Sequence, residues 1–318
     1  MRRFLKRLKL KWYALKWKLM FVFFKLTKKK IHLKKYCGKS VKTAQEGNNE
    51  IFKRINSTHS MAVCRLGFNE LRCLVECIDA ELANKNEISS ETRQLICHNA
   101  GFFPNTNEAM FEFASEMKNA LREVDLLAVW DNEMEDFVSK EYCPNAYLCE
   151  LRALEPYYFE TPWSMSLLGK KVLVIHPFAK SIVKQYQKKE KLFPTKKVLP
   201  EFNLIALKAV QTIAGEDDNR FSTWFEALQY MYDEAMKIDF DVAIIGCGAY
   251  GLPLAVKLKK AGKKAIHMGG ATQIMFGIKG KRWDKHEIIS SLYNEEWIRP
   301  SEEERPQNNG SIENSCYW

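Results

Sequence analysis

The stretch 241–276, DVAIIGCGAYGLPLAVKLKKAGKKAIHMGGATQIMF, constrains this chain more than any other, because it reads as a strand, a glycine loop, a helix and a second strand. Apolar Val242 to Ile245 predict a short buried strand. Gly246, Gly248 and Gly251 follow at G-x-G-x-x-G spacing before a helical run at 252–261. Glycines so placed let a backbone turn tightly and let an anion approach the amides at a helix N-terminus. Pro253 suits the first helical turn, where its missing N–H has no intrahelical acceptor to lose. The second strand, 264–268, carries His267 and runs into Gly269 and Gly270. A nicotinamide site of the usual kind wants Asp or Glu at the end of that strand, to hold the ribose hydroxyls. No carboxylate stands there, so NAD is not the expected ligand; a tight turn with no ligand is the plainer alternative.

The chain has 318 residues, 46% hydrophobic and 28% charged, enough to bury one large core or two modest ones. Its net charge of +10 is unevenly placed. Residues 1–42 hold sixteen Lys or Arg and no acid, which leaves 49 − 16 = 33 basic against 39 acidic residues in the body. The body is mildly acidic and the arm alone is basic. Nine cysteines form no pair of C-x-x-C units, the usage of a reducing compartment. Cys73 and Cys77 are four apart, yet no neighbouring histidine or second pair completes a zinc set.

Within the arm, Leu5, Leu8, Trp12, Leu15, Leu19, Val22 and Leu26 recur at steps of three and four, the apolar stripe of one helix. Lys6, Lys9, Lys16, Lys18 and Lys25 lie around or beside it, and Trp12, Trp17 and the aromatic run at 21–24 supply rings favoured at a bilayer interface. The uncharged run at 19–24 is far short of the roughly 20 residues that a span needs. Residues 1–36 are therefore expected to lie on an anionic membrane surface. The competing readings are a coiled-coil or partner-docking helix and a nucleic-acid arm. No nucleic-acid partner is expected, because phosphate contacts do not call for a continuous apolar stripe.

Along the body, strands are expected at 61–64, 125–130, 172–175 and 203–210, and helices at 69–82, 90–100, 107–123, 179–189 and 222–236. Strands alternating with helices predict an α/β, Rossmann-like fold, a mostly parallel sheet with helices on both faces, preceded by the basic amphipathic N-terminal helix. The expected organisation is the arm at 1–36, a linker at 37–56, a catalytic domain at 57–300 and a disordered tail at 301–318.

Open parallel sheets bind ligands outside the carboxyl ends of their strands. That rule collects Arg65 and Glu70 after the first strand, Asp131 and Glu133 after the second, and His176 after the third. It also collects Gly246, Gly248 and Gly251, then His267, Gly269 and Gly270. Lys281, Arg282 and Trp283 follow just downstream. Cations beside a glycine turn suit a diphosphate, and nearby carboxylates suit a divalent ion or the proton of an attacking hydroxyl. Each has a plainer explanation: Asp131 and Glu133 as residues opening a helix, His176 as a turn residue, Lys281 and Arg282 as solvated cations.

The segments AVCRLGFNEL, PWSMSLLGKKVLVIHPFAKSI, IIGCGAYGLPLA and AIHMGGATQIMFGIKGKRW together resemble the bacterial GT-D-type glycosyltransferase-like family of surface-polysaccharide biosynthesis, over roughly residues 61–300. The resemblance implies a nucleotide-sugar donor, a lipid-linked or growing glycan acceptor, and a cytoplasmic place on the inner face of the cell membrane. It implies Glu70 as general base or metal ligand and Arg65 as its orienting or phosphate-binding partner, with Asp131 and Glu133 as further acids. Gly67, Asn69, His176, Gly246, Gly248, Gly251, His267, Gly269, Gly270, Lys281, Arg282 and Trp283 then bind the donor. The family opens on R-F-G-D-G-E, whereas this chain has Phe68 at the aspartate position. That departure leaves Mn²⁺ or Mg²⁺ open as a cofactor, with Glu70, Asp131 and Glu133 as the ligands to consider.

Overall fold

The computed structural model describes residues 2–29, 32–36, 38–216, 218–306, 310 and 316–318. The chain runs from α1 (Arg2–Thr27) through a hairpin, β1 (Lys35–Tyr36) and β2 (Lys39–Ser40), to α2 (Ala44–Ile55). There follow β3 (Met61–Arg65), α3 (Phe68–Leu82), α4 (Ser90–Ala100), α5 (Asn107–Arg122), β4 (Leu126–Val129), α6 (Glu135–Tyr142) and β5 (Tyr147–Glu150). The second half holds β6 (Lys171–His176), α7 (Ala179–Tyr186), α8 (Lys189–Leu192), β7 (Asn203–Lys208) and α9 (Trp224–Met236). It closes with β8 (Val242–Ile245), α10 (Gly251–Lys260), β9 (Lys264–His267), α11 (Ala271–Met275) and α12 (Glu287–Ser290).

Seven strands form one sheet in the order β5-β4-β3-β9-β8-β6-β7, every neighbouring pair parallel. The expected α/β, Rossmann-like architecture is therefore what the chain adopts. Side chains alternate across the sheet as the two-residue period requires. Ala62, Cys64, Leu173, Ile175, Ala243 and Ile245 face one core layer, while Met61, Val63, Val172, Val174, Val242 and Ile244 face the other. Because both faces are covered, these strands read as continuous apolar runs. On the first face Trp224 stacks on Tyr250 at 4.9 Å and meets Phe113 edge-on, which ties α9 and α5 to the loop before α10.

The stretch expected as a linker at 37–56 contains α2, whose start is fixed by a capping box between Thr43 and Glu46. Gly47 lets this helix close on the turn after β5: a Cβ there would lie 2.5 Å from the Ala153 methyl. The body thus begins earlier than expected, although Cys37 lies outside the described residues. The arm is helical only through Thr27, and Lys28 turns left-handed (φ +59°) after it. Of the expected tail, 301–306 includes a buried Glu304, which accepts from Ser181 N at 3.1 Å, and 316–318 packs into the second core layer. Residues 307–309 and 311–315 lie outside the described residues. Among the described residues no helix is long and apolar enough to cross a membrane.

The loop after β4 receives the segment that follows α1. Glu135 Oε2 accepts from Tyr36 Oη at 3.0 Å and from the backbone amides of Trp130 and Asn132 at 3.1 and 3.2 Å. Burial nevertheless pushes its carboxyl from 4.5 up to about 7. A raised carboxyl stabilises the fold fully below the unfolded value of 4.5, and that contribution disappears as pH rises through about 7. The difference is worth about 3 kcal/mol. Glu135→Gln is expected to remove it, so the variant should gain on the wild type in thermal melts above pH 7 and show no gain below pH 4.5. Parallel melting curves across that range would remove Glu135 as the source.

Candidate functional site

The carboxyl ends of β3, β9, β8 and β6 open onto one cavity. Eleven of the sixteen residues collected from the sequence line it: Arg65, Gly67, Asn69, Glu70, His176, Gly246, Gly248, His267, Gly269, Gly270 and Arg282. Asp131, Glu133, Gly251, Lys281 and Trp283 do not line it.

Arg65 ends β3 half-buried, its guanidinium 4.6 Å from the centre of the Trp130 ring, a cation–π contact that fixes the side chain across the cavity wall. Trp130 is itself held by a 3.0 Å hydrogen bond from its indole N–H to the Leu66 carbonyl. Among the described residues no carboxylate lies within ion-pair distance of Arg65. Two residues on, Gly67 caps α3 without a side chain, and the Glu70 carboxylate folds back over the space this leaves. A Cβ at Gly67 would stand 2.2 Å from Glu70 Oε2. Burial raises the Glu70 carboxyl above its ordinary range, opposed by a backbone N–H in its own turn and by the Arg65 charge.

The glycine loop is shaped by two buried histidines. A Cβ on Gly246 would lie 2.6 Å from His176 Cδ2, and one on Gly251 would lie 2.0 Å from His267 Nδ1. Gly248 between them takes φ +59°. The first and third glycines therefore make room for imidazole rings, a purpose the spacing alone does not reveal. His176 Nδ1 accepts from the Phe178 N–H at 2.9 Å, which leaves the proton on Nε2 of a neutral ring. Burial lowers both histidines to about 3, with the Arg65 charge adding to the effect at His267. They are neutral hydrogen-bonding groups and not cations at neutral pH. His267 Nδ1, Thr272 Oγ1 and Gln273 Oε1 are buried without partners among the described residues.

The sequence reading missed much of the opposite wall. Asn99, Phe178, Thr212, Gln273, Tyr317 and Trp318 all line the cavity. Gln273 Nε2 donates to the Tyr317 carbonyl at 3.1 Å, and the Lys281 amide donates to the Trp318 carbonyl at 3.3 Å, so residues 316–318 are built into the wall. The signal was present, since Cys-Tyr-Trp is an apolar run after a polar stretch. Arg282, itself exposed, lies across the Tyr317 ring at 4.4 Å and donates to Cys316 Sγ at 3.1 Å, whereas the exposed Lys281 does not line the cavity. Trp283 stands behind Gly270, 3.4 Å from where its Cβ would be.

Asp131 is engaged elsewhere. It takes φ +58°, and its carboxylate meets His32 Nδ1 at 2.8 Å and accepts from the Leu33 amide at 3.1 Å. Its role is to anchor the segment after α1. Glu133 lines a separate groove between α1 and α3. Phe68, exposed at the start of α3, borders both that groove and the cavity. The three acids considered as Mn²⁺ or Mg²⁺ ligands are thus not gathered at one point. Among the described residues no group of three or more His, Cys, Asp or Glu side chains is placed to hold a metal ion.

No family model matches the chain, and no curated protein matches it. Among solved structures it is similar to one described as a selenomethionine-substituted domain of unknown function 1792 (DUF1792), at 13% identity over 84% of this chain and 92% of that one, with a TM-score of 0.45. A likeness of that degree carries no argument about function; the fold rests on the strand pairing and the site on its own geometry.

Proposed function

We propose that the cavity holds the diphosphate of a nucleotide-sugar donor and that the protein is a glycosyltransferase, passing the sugar to a lipid-linked or growing cell-surface glycan acceptor. The observation that carries this reading is Arg65, a half-buried guanidinium set between Trp130 and the Gly269 turn with no carboxylate at ion-pair distance among the described residues. A cation so placed favours an anion with several acceptor oxygens, and a guanidinium matches phosphate in a bidentate way. Arg282 also lines this cavity. Trp130, Tyr317 and Trp318 give the cavity aromatic surface against which a base or a sugar can pack.

In transfer, the bond between the anomeric carbon and the diphosphate oxygen breaks as the acceptor oxygen bonds to that carbon. The leaving diphosphate keeps the electron pair, and its growing charge is met by Arg65, Arg282 and the amides of the glycine turns. The acceptor hydroxyl gives its proton to Glu70, whose raised carboxyl suits a base better than an ordinary one does. Because the acids do not form a metal-ligand set, neutralisation in this reading comes from the arginines.

Calorimetry on the full chain against UDP, GDP, CMP and NAD, with and without Mn²⁺, tests the donor. Saturable binding of one of the nucleotide diphosphates is expected, and Arg65→Ala should weaken it by about 1.5–3 kcal/mol, the worth of a charge-assisted hydrogen bond. Binding of NAD alone would overturn the transferase reading. So would a nucleotide affinity indifferent to Arg65.

A further inference from the structure

The helix expected to lie on a membrane has two apolar faces, and the structure uses only one of them. Leu10, Tyr13 and Trp17 are buried against the body, where the Tyr13 ring meets Phe137 at 5.6 Å. Basic residues on the same side are consumed by acids of the body. Lys16 pairs with buried Asp136 at 2.7 Å, Arg7 pairs with Asp79 at 3.3 Å, and Lys9 pairs with Glu141. Trp17 Nε1 also donates to Asp136 at 2.9 Å. These contacts fix the rotation of α1 about its own axis.

With that rotation fixed, the whole stripe read from the sequence points away from the body. Every member from Leu5 to Leu26 is exposed, Trp12 at 60% and Leu19 at 62%, an apolar strip that a monomer in water has no reason to present. At 100° per residue, Lys11, Lys18 and Lys25 recur every seven positions along one border of the strip. All three are exposed, and none has an acidic partner among the described residues.

We infer that this outer face of α1 docks the protein onto an anionic lipid bilayer, with the leucines and Trp12 in the acyl boundary and the three lysines among the headgroups. Charge decides among occupants. A second copy docked stripe to stripe would bring lysines against lysines, because residues 1–42 contain no acid to pair with them. A nucleic acid would leave the apolar strip wet. An anionic bilayer satisfies both halves of the surface at once. The helix lies along the surface because no helix among the described residues is apolar enough to cross it. Phe68 lines both the groove beneath α1 and the cavity.

The test is co-sedimentation of the full chain with vesicles of phosphatidylcholine alone and of phosphatidylcholine mixed with phosphatidylglycerol. Binding is expected to the mixed vesicles and to fall with added salt. Lys11→Glu, Lys18→Glu and Lys25→Glu combined should weaken it on the order of a hundredfold or more. Leu8→Glu, Leu15→Glu and Leu19→Glu combined should abolish it and leave the melting temperature unchanged, because none of the three touches the core. Equal binding by wild type and both variants would overturn the assignment. So would failure of the wild type to sediment, or a dimer that the leucine substitutions dissociate. Donor binding, read by calorimetry on the cavity, stands or falls separately.

Discussion

The Gly251→Ala variant is expected to lose about 3 kcal/mol of folding stability, at the upper end of what overpacking a core costs. The added methyl would stand 2.0 Å from His267 Nδ1 and 2.1 Å from Cε1, so relief requires the imidazole to move. His267 is 4% exposed and sits at the end of a central strand, paired through Ile245, which leaves the ring little room. Denaturant melts of Gly251→Ala, His267→Ala and the double variant supply the check. The double variant should be less unstable than the sum of the two singles, because the ring that meets the methyl is gone; a coupling on the order of 1 kcal/mol or more is expected. Strict additivity would mean that the glycine serves the backbone and not the histidine.

That outcome would change how the G-x-G-x-x-G spacing is read. The sequence shows where the chain turns but not what the missing side chains make room for, and a ring 16 positions away in sequence cannot be inferred from spacing. Strand positions were legible for the opposite reason. Val242–Ile245 and the runs in β3, β4 and β6 are buried on both faces, and continuous apolar runs bounded by turn residues say so locally. The edge strand β5, Tyr-Leu-Cys-Glu, lacks such a run and was missed. So was α2, which buries only Ile51 and Ile55 among its large side chains and depends on a glycine for close approach.

The strand-end rule gathered the cavity well where strands end in glycine or histidine and failed at β4. There a left-handed Asp131 and the arriving segment at 32–36 claim each other, a tertiary event with no local mark. Periodicity likewise found the apolar stripe of α1 but not the second face that docks. Leu10, Tyr13 and Trp17 recur at the same three-and-four spacing as the stripe does, and partners in the body, the Phe137 ring and the acids Asp136, Asp79 and Glu141, decide which face turns inward.

Glu70→Gln is expected to cut donor turnover roughly a hundred- to ten-thousandfold, the usual worth of a positioned proton acceptor, while the protein stays as stable as the wild type or becomes more so. The two effects have opposite signs for a physical reason. Burial holds the Glu70 carboxyl above its ordinary value of 4.5, so the native state favours the neutral form. Its contribution to stability is complete below that value and is lost as pH rises through the raised native one. Glutamine never ionises and does not lose it, and its amide oxygen can still accept the backbone N–H in the first turn of α3. If Glu70 served only as a helix cap, the substitution would leave catalysis intact. If it receives the acceptor's proton, activity falls while stability holds. The rate profile adds a second reading, because the acid limb of the wild type should lie above the ordinary carboxylate range and vanish in the variant. Turnover of a nucleotide-sugar donor at several pH values, measured beside melting curves of the same samples, separates the two roles, and an unaltered rate would remove Glu70 from the mechanism.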